Sequence, residues 1–393
     1  MRTAIGLAAV LAMLAFSTGC WDRKELNDLA LVTAAAFDRG AGDSVRVTVQ
    51  FFIPKTAVTG GGGGGGGGQE QQTATRYEEG ENIADALARL QMKVPRKIFW
   101  GQCKVFIFSQ ELARSGIQNH FDLLIRSPQF REHAYMFVSE GQAAAVLDTY
   151  PPLERSSASV IRDLTQLDIG IKVTVGELSR QFKSDSHVQM IPMVRILPLG
   201  KGKRAIPYES GTAVLKNGRM TGTMSEGVTR GVMWVLNQIR EYVVTFENEE
   251  GPSRGRVSLR PVKASTKVTP RMVNGSWQVD IFVRTQGDIT QNETLENPIN
   301  PEVLARLEKS FSDEIGERIK QSLREVQRNQ KADVVSFAEA FHRKYPKQWE
   351  KAKDDWEKIF PEIKVNVRVA ARINRPGLVN VPGGVPYDQV NKE

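Results

Sequence analysis

The strongest structural signal in this chain is the stretch at residues 300–326, NPEVLARLEKSFSDEIGERIKQSLREV. Asn300 can cap a helix, and Pro301 suits the first helical position because the N–H that proline lacks would have no partner there. Apolar residues then recur every three or four positions and line one side of the helix. They are Leu304, Leu307, Phe311, Ile315, Ile319, Leu323 and Val326. The stretch therefore predicts a long helix that packs on a sheet.

Residues 363–373 predict a strand of the kind that such a helix could cover. Apolar positions alternate with polar ones: Ile363, Val365, Val367, Val369, Ala371 and Ile373 against Lys364, Asn366, Arg368 and Arg372. Successive side chains of a strand point to opposite faces, so the alternation indicates one buried face and one face in water.

Shorter patterns elsewhere extend this architecture. Residues 29–37 and 44–51 are apolar or alternating runs around a Gly-containing segment, which predicts a β-hairpin. Asn217-Gly218 predicts a second, tight hairpin because both central residues of such a turn need a positive φ. The order of elements before residue 200 is strand, strand, helix, strand, helix, strand, which indicates an α+β fold. We expect mixed, mostly antiparallel sheets with packed helices in two or three domains.

Changes in composition suggest the domain limits. An N-terminal α+β domain is predicted over residues 20–199, with a possible subdivision near residue 150. A flexible Gly-rich loop is predicted at residues 55–75, because nine consecutive glycines bury no side chains and cost much backbone entropy to order. The basic, Gly-rich residues 200–207 predict a linker. A C-terminal α+β domain is predicted at residues 208–375 and a disordered tail at residues 376–393.

The first twenty residues have the layout of an export signal. Arg2 is followed by an uncharged apolar run and then by the small residues Ser17-Thr18-Gly19, which predicts a signal peptide at residues 1–19. The run is too short to span a bilayer. Cys20 directly after small residues looks like a bacterial lipobox, although Ser17 stands where an aliphatic residue is usual. Cys20 is thus the predicted lipidation site, and a structural cysteine beyond an ordinary signal is the alternative.

A diacylglyceryl group on Cys20 would anchor the protein without spanning the membrane, since two acyl chains hold a soluble domain stably. The chain carries a net charge of +8. For an exported protein, this favours anionic lipid headgroups or an acidic partner over nucleic acid, and simple solubility explains the charge equally well.

The residues needed for catalysis or metal binding are missing or scattered. The four histidines, His120, His133, His187 and His342, lie far apart, and no Gly-x-Ser-x-Gly motif is present. The glycine tract lacks the Lys-Ser/Thr that closes a phosphate-binding loop. We therefore expect no catalytic, cofactor-binding or metal-binding residues, and no enzymatic activity.

Two further residue types have competing interpretations. Cys103 lies beside a short apolar run, which favours a buried small side chain over a reactive thiol. Trp349 and Trp356 could stack a sugar or nutrient, but their helical spacing near Phe360 favours packing in the core.

Four segments carry a specific resemblance. They are CWDRKELNDL at residues 20–29; Phe99-Trp100-Gly101 with Glu111-Leu112-Ala113; residues 211–231 with KNGRMTG inside; and residues 341–361 with KYPKQW and Asp355-Trp356. Together they resemble the C-subunit family of bacterial spore germinant receptors, the Ger(x)C lipoproteins. The sequence departs from the family pattern at the glycine tract and at Gln102, where many members have His.

The resemblance implies a peripheral, lipid-anchored subunit of a nutrient germinant receptor, needed for germinant-triggered spore germination. It implies a position on the outer face of the spore's inner membrane, beside two integral membrane subunits. Whether this subunit touches the nutrient does not follow from it. Two alternatives are a solute-binding lipoprotein of a transporter and an anchored hydrolase. The first usually has repeated βαβ halves, which the order of elements here does not suggest, and the second lacks its catalytic residues.

Overall fold

The computed structural model describes residues 28–53, 72–152, 154–200, 205–240, 242–248, 253–375 and 386. The predicted signal peptide, Cys20, most of the predicted Gly-rich loop, the centre of the predicted linker and all of the predicted tail except Pro386 lie outside these residues.

In the described part of the chain, nine strands form a first, mixed sheet. They are β1 (Leu29–Arg39), β2 (Val45–Phe52), β3 (Thr73–Gly80), β4 (Lys97–Phe99), β5 (Val105–Ser109), β6 (Tyr135–Ser139), β7 (Val188–Pro198), β8 (Ala205–Lys216) and β9 (Arg219–Met224). The strand order is β3-β2-β1-β5-β6-β7-β8-β9, and β4 pairs with β1. The central strands β1, β5, β6 and β7 run parallel, while the outer pairs are antiparallel.

Helices cover both faces of the first sheet. They are α1 (Ile83–Lys93), α2 (Gln110–Ser115), α3 (Gln118–Arg126), α4 (Ala143–Leu147), α5 (Ser157–Gln166) and α6 (Val175–Phe182). Val105 and Ile107 of β5 pack in one hydrophobic cluster with residues of α4 and α5, whereas Phe106 and Phe108 pack in the main core on the other side. Because both faces are covered, the central strands consist of nearly continuous apolar runs.

A second sheet has the strand order β10-β11-β12-β13 among the described residues. Its strands are β10 (Val244–Asn248), β11 (Gly255–Val273), β12 (Ser276–Asn292) and β13 (Lys364–Arg375). The helices that follow the first sheet are α7 (Glu226–Val235), α8 (Pro301–Arg324), α9 (Phe337–Lys344), α10 (Pro346–Ala352) and α11 (Trp356–Ile359). The two sheets with their packed helices confirm the predicted α+β class.

The predicted long helix is α8. Its cap is Asn300, whose side chain accepts a hydrogen bond from the backbone N–H of Glu302 at 2.9 Å. Most of the predicted stripe, including Leu307, Phe311 and Ile315, is buried, and α8 contacts β13 and β10 of the second sheet. A π-helical turn at Glu325–Gln330 follows the helix. The N-cap residue and the buried apolar stripe therefore both lie where the sequence predicted them.

Both predicted hairpins are present. β1 pairs antiparallel with β2, and β8 pairs antiparallel with β9 around Asn217 and Gly218. These two residues have φ angles of 48° and 75°, the positive values that a tight hairpin turn requires.

Two strands begin earlier in the chain than the sequence predicted, inside segments that were expected to be a loop and a linker. Residues 73–75, predicted as loop, begin β3 and pair with β2. Residues 205–207, predicted as linker, begin β8 and pair with the end of β7. In each case, backbone hydrogen bonds to a neighbouring strand extend the sheet into a segment whose composition suggested a loop. β8 and β9 thus belong to the first sheet, and the domain limits at 199 and 208 stay predictions.

Candidate functional site

The structure describes Cys103 but not Cys20, the predicted lipidation site. Cys20 precedes Asp28, the first described residue, so its lipidation stays a prediction. Cys103 is buried beside β5, and burial raises the pKa of its thiol to about 12. Cys103 therefore packs as a small apolar side chain and is protonated at neutral pH. Among the described residues, none of the helices has the length and apolar character needed to cross a membrane.

No group of three potential metal ligands is clustered in the described ranges. His342 instead makes a contact between the two halves of the chain, since its Nδ1 lies 2.8 Å from the Asp185 carboxylate. His120 is partly buried, and burial lowers its pKa, which favours a neutral ring. His342 thus joins distant parts of the chain, and neither ring belongs to a cluster of potential metal ligands within the described residues.

Two half-buried carboxyl groups have pKa values raised well above their ordinary range. Burial, reinforced by nearby Glu226, raises the pKa of Glu209 to about 7. Burial, reinforced by Asp333, raises the pKa of Glu339 to about 7. Glu209 lies on β8 and Glu339 on α9, and neither carboxyl group contributes to the pKa shift of the other, so they do not act as an acid–base pair.

A cleft of about 490 Å³ opens at the N-terminal end of α5. Thr33 of β1 and Thr73 of β3 lie on one side, and Ser156, the cap of α5, lies on the other. Three cationic side chains, Lys104, Arg155 and Arg162, and one carboxylate, Glu154, also line it. Gln102, one of the positions at which the sequence departs from the resembled family, is part of the same wall. The cleft suits a small polar or anionic group, but it contains no nucleophile paired with a base.

Polar side chains of β1 and β2 form hydrogen bonds to distant parts of the chain. The buried Gln50 side chain donates to the carbonyl of Leu147 at 2.9 Å and to the Ser157 hydroxyl at 3.0 Å. Thr33 donates to the Gln50 amide oxygen at 3.0 Å. Asp38 caps α4, accepting backbone hydrogen bonds across 105 residues of chain. These links could not be predicted from the sequence, because no local pattern marks contacts at such separations.

The tryptophans in the C-terminal motif lie in the core. Trp349 and Trp356 are 3% and 4% exposed, and their ring centroids are 4.9 Å apart in an edge-on arrangement. Trp277 of β12 and Phe341 of α9 complete the cluster, each within 6 Å of Trp356. The core-packing interpretation is confirmed. Because both indole rings are buried, neither is accessible to a sugar or nutrient.

Asp333 joins this aromatic cluster to the backbone of α9, a role that no sequence pattern predicted. The side chain is 4% exposed and accepts hydrogen bonds from the backbone of Phe337 at 3.0 Å and Ala338 at 2.7 Å. It also accepts one from the Trp356 indole at 3.0 Å. One carboxyl group thus caps α9 and ties it to α11. The only sequence signal was an acidic residue shortly before a helix.

Three of the four segments behind the family resemblance lie within the described residues, and they serve the fold. KNGRMTG forms the turn between β8 and β9, and Trp100 packs edge-on against Phe130 at 4.9 Å. The tryptophans of residues 341–361 fill the core beside the second sheet. None of these described segments builds a catalytic constellation.

Comparison with known families finds two matches that together span most of the chain. Residues 22–196 match the spore germination protein N-terminal domain, and residues 210–377 match the spore germination B3/GerAC-like C-terminal domain. Spore germination protein KC of Bacillus subtilis (strain 168) is 29% identical, with 96% of this chain and 97% of that protein covered. Spore germination protein B3 of the same organism is 24% identical, with 96% and 100% covered.

The fold has a solved counterpart. The crystal structure of the GerBC protein superimposes with a TM-score of 0.57 and 20% sequence identity, covering 86% of this chain and 96% of that chain. At this identity the likeness concerns the fold alone.

Proposed function

Since the chain belongs to the family of spore germinant receptor C-subunits and so has a role in spore germination, we propose that it is the lipid-anchored subunit of a nutrient germinant receptor complex. The observation that carries the proposal is the pair of family matches, because they cover both halves of the chain in order. The proposed complex also contains two integral membrane subunits.

The N-terminal sequence supports the proposed anchor. Residues 1–19 read as an export signal that ends directly before Cys20, the residue that would carry the lipid. Two acyl chains on Cys20 would keep the folded part on the outer face of the spore's inner membrane. The role proposed is structural or regulatory within the receptor and involves no catalysis.

A solute-binding lipoprotein of a transporter is less well supported. Such a protein would usually have two similar α/β halves around a central cleft. Here the described strands form a mixed sheet of nine and a separate sheet of four with a different topology.

Cys20→Ala tests the anchor. We expect the variant to leave the membrane fraction and the germination response to the cognate nutrient to fall at least several-fold, because no other attachment of comparable strength is proposed. Fractionation in high salt followed by immunoblotting measures the first, and the loss of spore optical density the second. Cys103→Ala is the matched control, since Cys103 is buried and should leave fractionation unchanged. A Cys20→Ala protein that still pellets with membranes in high salt would contradict the proposed anchor.

A further inference from the structure

The outward face of the second sheet is formed by β11, β12 and β13. Strand pairing places its side chains in five cross-strand rows: Arg271–Gln278–Lys364, Thr269–Asp280–Asn366, Lys267–Phe282–Arg368, Ser265–Arg284–Ala370 and Lys263–Gln286–Arg372. The alternate side chains of the same strands, such as Val279, Ile281 and Val283, are buried. Each of the three strands therefore has one face in the core and one face in water.

The charges on this outward face are almost all of one sign. Seven cationic side chains occupy the five rows, and all seven are exposed: Lys263, Lys267, Arg271, Arg284, Lys364, Arg368 and Arg372. We call these seven residues the basic face. The single carboxylate in the rows is Asp280, which pairs with Arg271 at 2.6 Å. Within the described residues, the other six cations make no ion pair, so most of the positive charge faces solvent.

The basic face is broad and contains an aromatic residue at its centre. Five rows at about 6.8 Å per pair of residues extend over about 27 Å, and three strands span about 10 Å. Phe282 lies in the middle row, half-buried, with the Arg284 guanidinium 5.0 Å from its ring centroid. Such a surface can contact many headgroups at once, whereas a single anion would meet only one or two of its cations.

Two hollows adjoin one end of the basic face, and Lys263 lines both. The first, about 290 Å³, is also lined by Arg240 and Arg260. The second, about 520 Å³, is lined by Arg284 and Arg372 and by the carboxylate of Glu308. Glu308 is already engaged, since it accepts a hydrogen bond from the backbone N–H of Ile373 at 2.9 Å. The hollows give anionic headgroups room to enter between cations.

Protection of the sheet edge is an alternative explanation of exposed charge on β13, because charged side chains on an edge strand discourage pairing with another chain. The C-terminal part of that edge is already covered by α8. The backbone N–H groups of Ala371 and Ile373 donate to the side chains of Ser312 and Glu308 at 3.0 and 2.9 Å. Solubility does not explain a face of one charge sign, because mixed charges, such as the Asp122–Arg126 ion pair on α3, would serve it equally well.

We propose that the basic face lies against the anionic phospholipid surface of the membrane to which the protein is anchored. The inference rests on the proposed function only for the anchor that brings the protein to this surface. An anionic membrane attracts cations within about one Debye length, roughly 8 Å at physiological salt. A broad sheet face can bring its cations into that layer together. Docking in this way would fix the orientation of both sheets on the membrane.

The test uses the mature chain from residue 20 with Cys20→Ala, so that neither a lipid anchor nor the predicted signal peptide contributes. Binding to phosphatidylglycerol vesicles is compared with binding to phosphatidylcholine vesicles by co-sedimentation, and the ratio of the two partition coefficients is the readout. The basic-face variant is Lys267→Gln with Arg368→Gln and Arg372→Gln. The matched control is Arg96→Gln with Arg114→Gln and Arg131→Gln, which removes the same charge from exposed positions outside the second sheet.

Each cation near an anionic surface contributes a factor of about five to binding, so the basic-face variant should lose about 100-fold in the ratio. The control should lose at most a few-fold, and 1 M salt should abolish the preference of the parent protein for anionic vesicles. Thermal melting confirms that both variants fold. Equal losses in the two variants would overturn the proposal in favour of net charge alone.

Unchanged vesicle binding by the basic-face variant would also overturn it. If such a variant failed to co-purify with membrane subunits, the face would be assigned to an acidic protein instead. Because the vesicle readout requires neither lipidation nor germination, its failure is distinguishable from a failure of the proposed receptor function.

Discussion

Asp333→Ala is expected to lower the free energy of unfolding by about 4 kcal/mol. The substitution leaves three buried donors without an acceptor, namely the backbone N–H groups of Phe337 and Ala338 and the Trp356 indole. Each unsatisfied buried group costs about 1 to 3 kcal/mol, and the helix cap of α9 is lost with them. Urea unfolding followed by tryptophan fluorescence measures the change directly.

Asp333→Asn is the matched control, because its amide oxygen can still accept some of these hydrogen bonds. We expect it to cost about 1 to 2 kcal/mol near pH 4. Burial raises the pKa of Asp333 above its ordinary 3.8 and outweighs the hydrogen bonds that lower it. The stability from the Asp333 carboxyl is therefore complete below about pH 3.8 and declines as the pH rises through the folded pKa. The cost of Asp333→Asn should shrink between pH 4 and pH 8, and a cost that grew over this range would contradict the assigned direction.

Gly231→Ala is expected to cost about 3 kcal/mol at the crossing of α7 and α8. A Cβ at this position would lie 2.0 Å from the Ser322 hydroxyl and 2.8 Å from the backbone carbonyl of Arg318. Both neighbours belong to the long buried helix α8, so the added methyl group must push the two helices apart. Thermal or urea unfolding of the variant gives the magnitude.

Two further variants, one on α7 and one on α8, distinguish the steric cost of the added methyl group from the effect of replacing glycine by alanine in a helix. Gly227→Ala lies in the first turn of α7 with nothing within 4 Å of the added Cβ, and it should stabilise the protein by about 0.5 kcal/mol. Ser322→Gly removes the nearest obstacle, so Gly231→Ala should cost at least 1 kcal/mol less in that background. Equal costs of Gly231→Ala in both backgrounds would show that the Ser322 side chain is not the obstacle to the added methyl group.

The parts of the fold that the sequence predicted are those in which local chemistry and tertiary packing agree. Asn300 caps α8 and its stripe is buried, and Asn217-Gly218 adopts the positive φ angles of a tight turn. Strand β13 alternates as predicted because one face meets the core and the other meets water.

Other parts were missed because their stability comes from distant residues. β11 extends for 19 residues although Pro261 and Pro270 interrupt its sequence, and a bulge next to Pro261 accommodates the first of them. The Gln50 amide joins elements 97 and 107 residues away, which no periodicity can reveal. The alternation in β13 showed three cations of the basic face, and only the pairing of β11 with β12 adds the other four.

Co-purification tests the proposed receptor subunit most directly. The protein would be isolated through a C-terminal affinity tag from detergent-solubilised spore membranes, and its partners identified by mass spectrometry. The proposal predicts that two integral membrane proteins encoded beside it are recovered in amounts comparable to the tagged chain. Recovery of the lipidated chain alone, from spores in which both of those proteins are present, would contradict it.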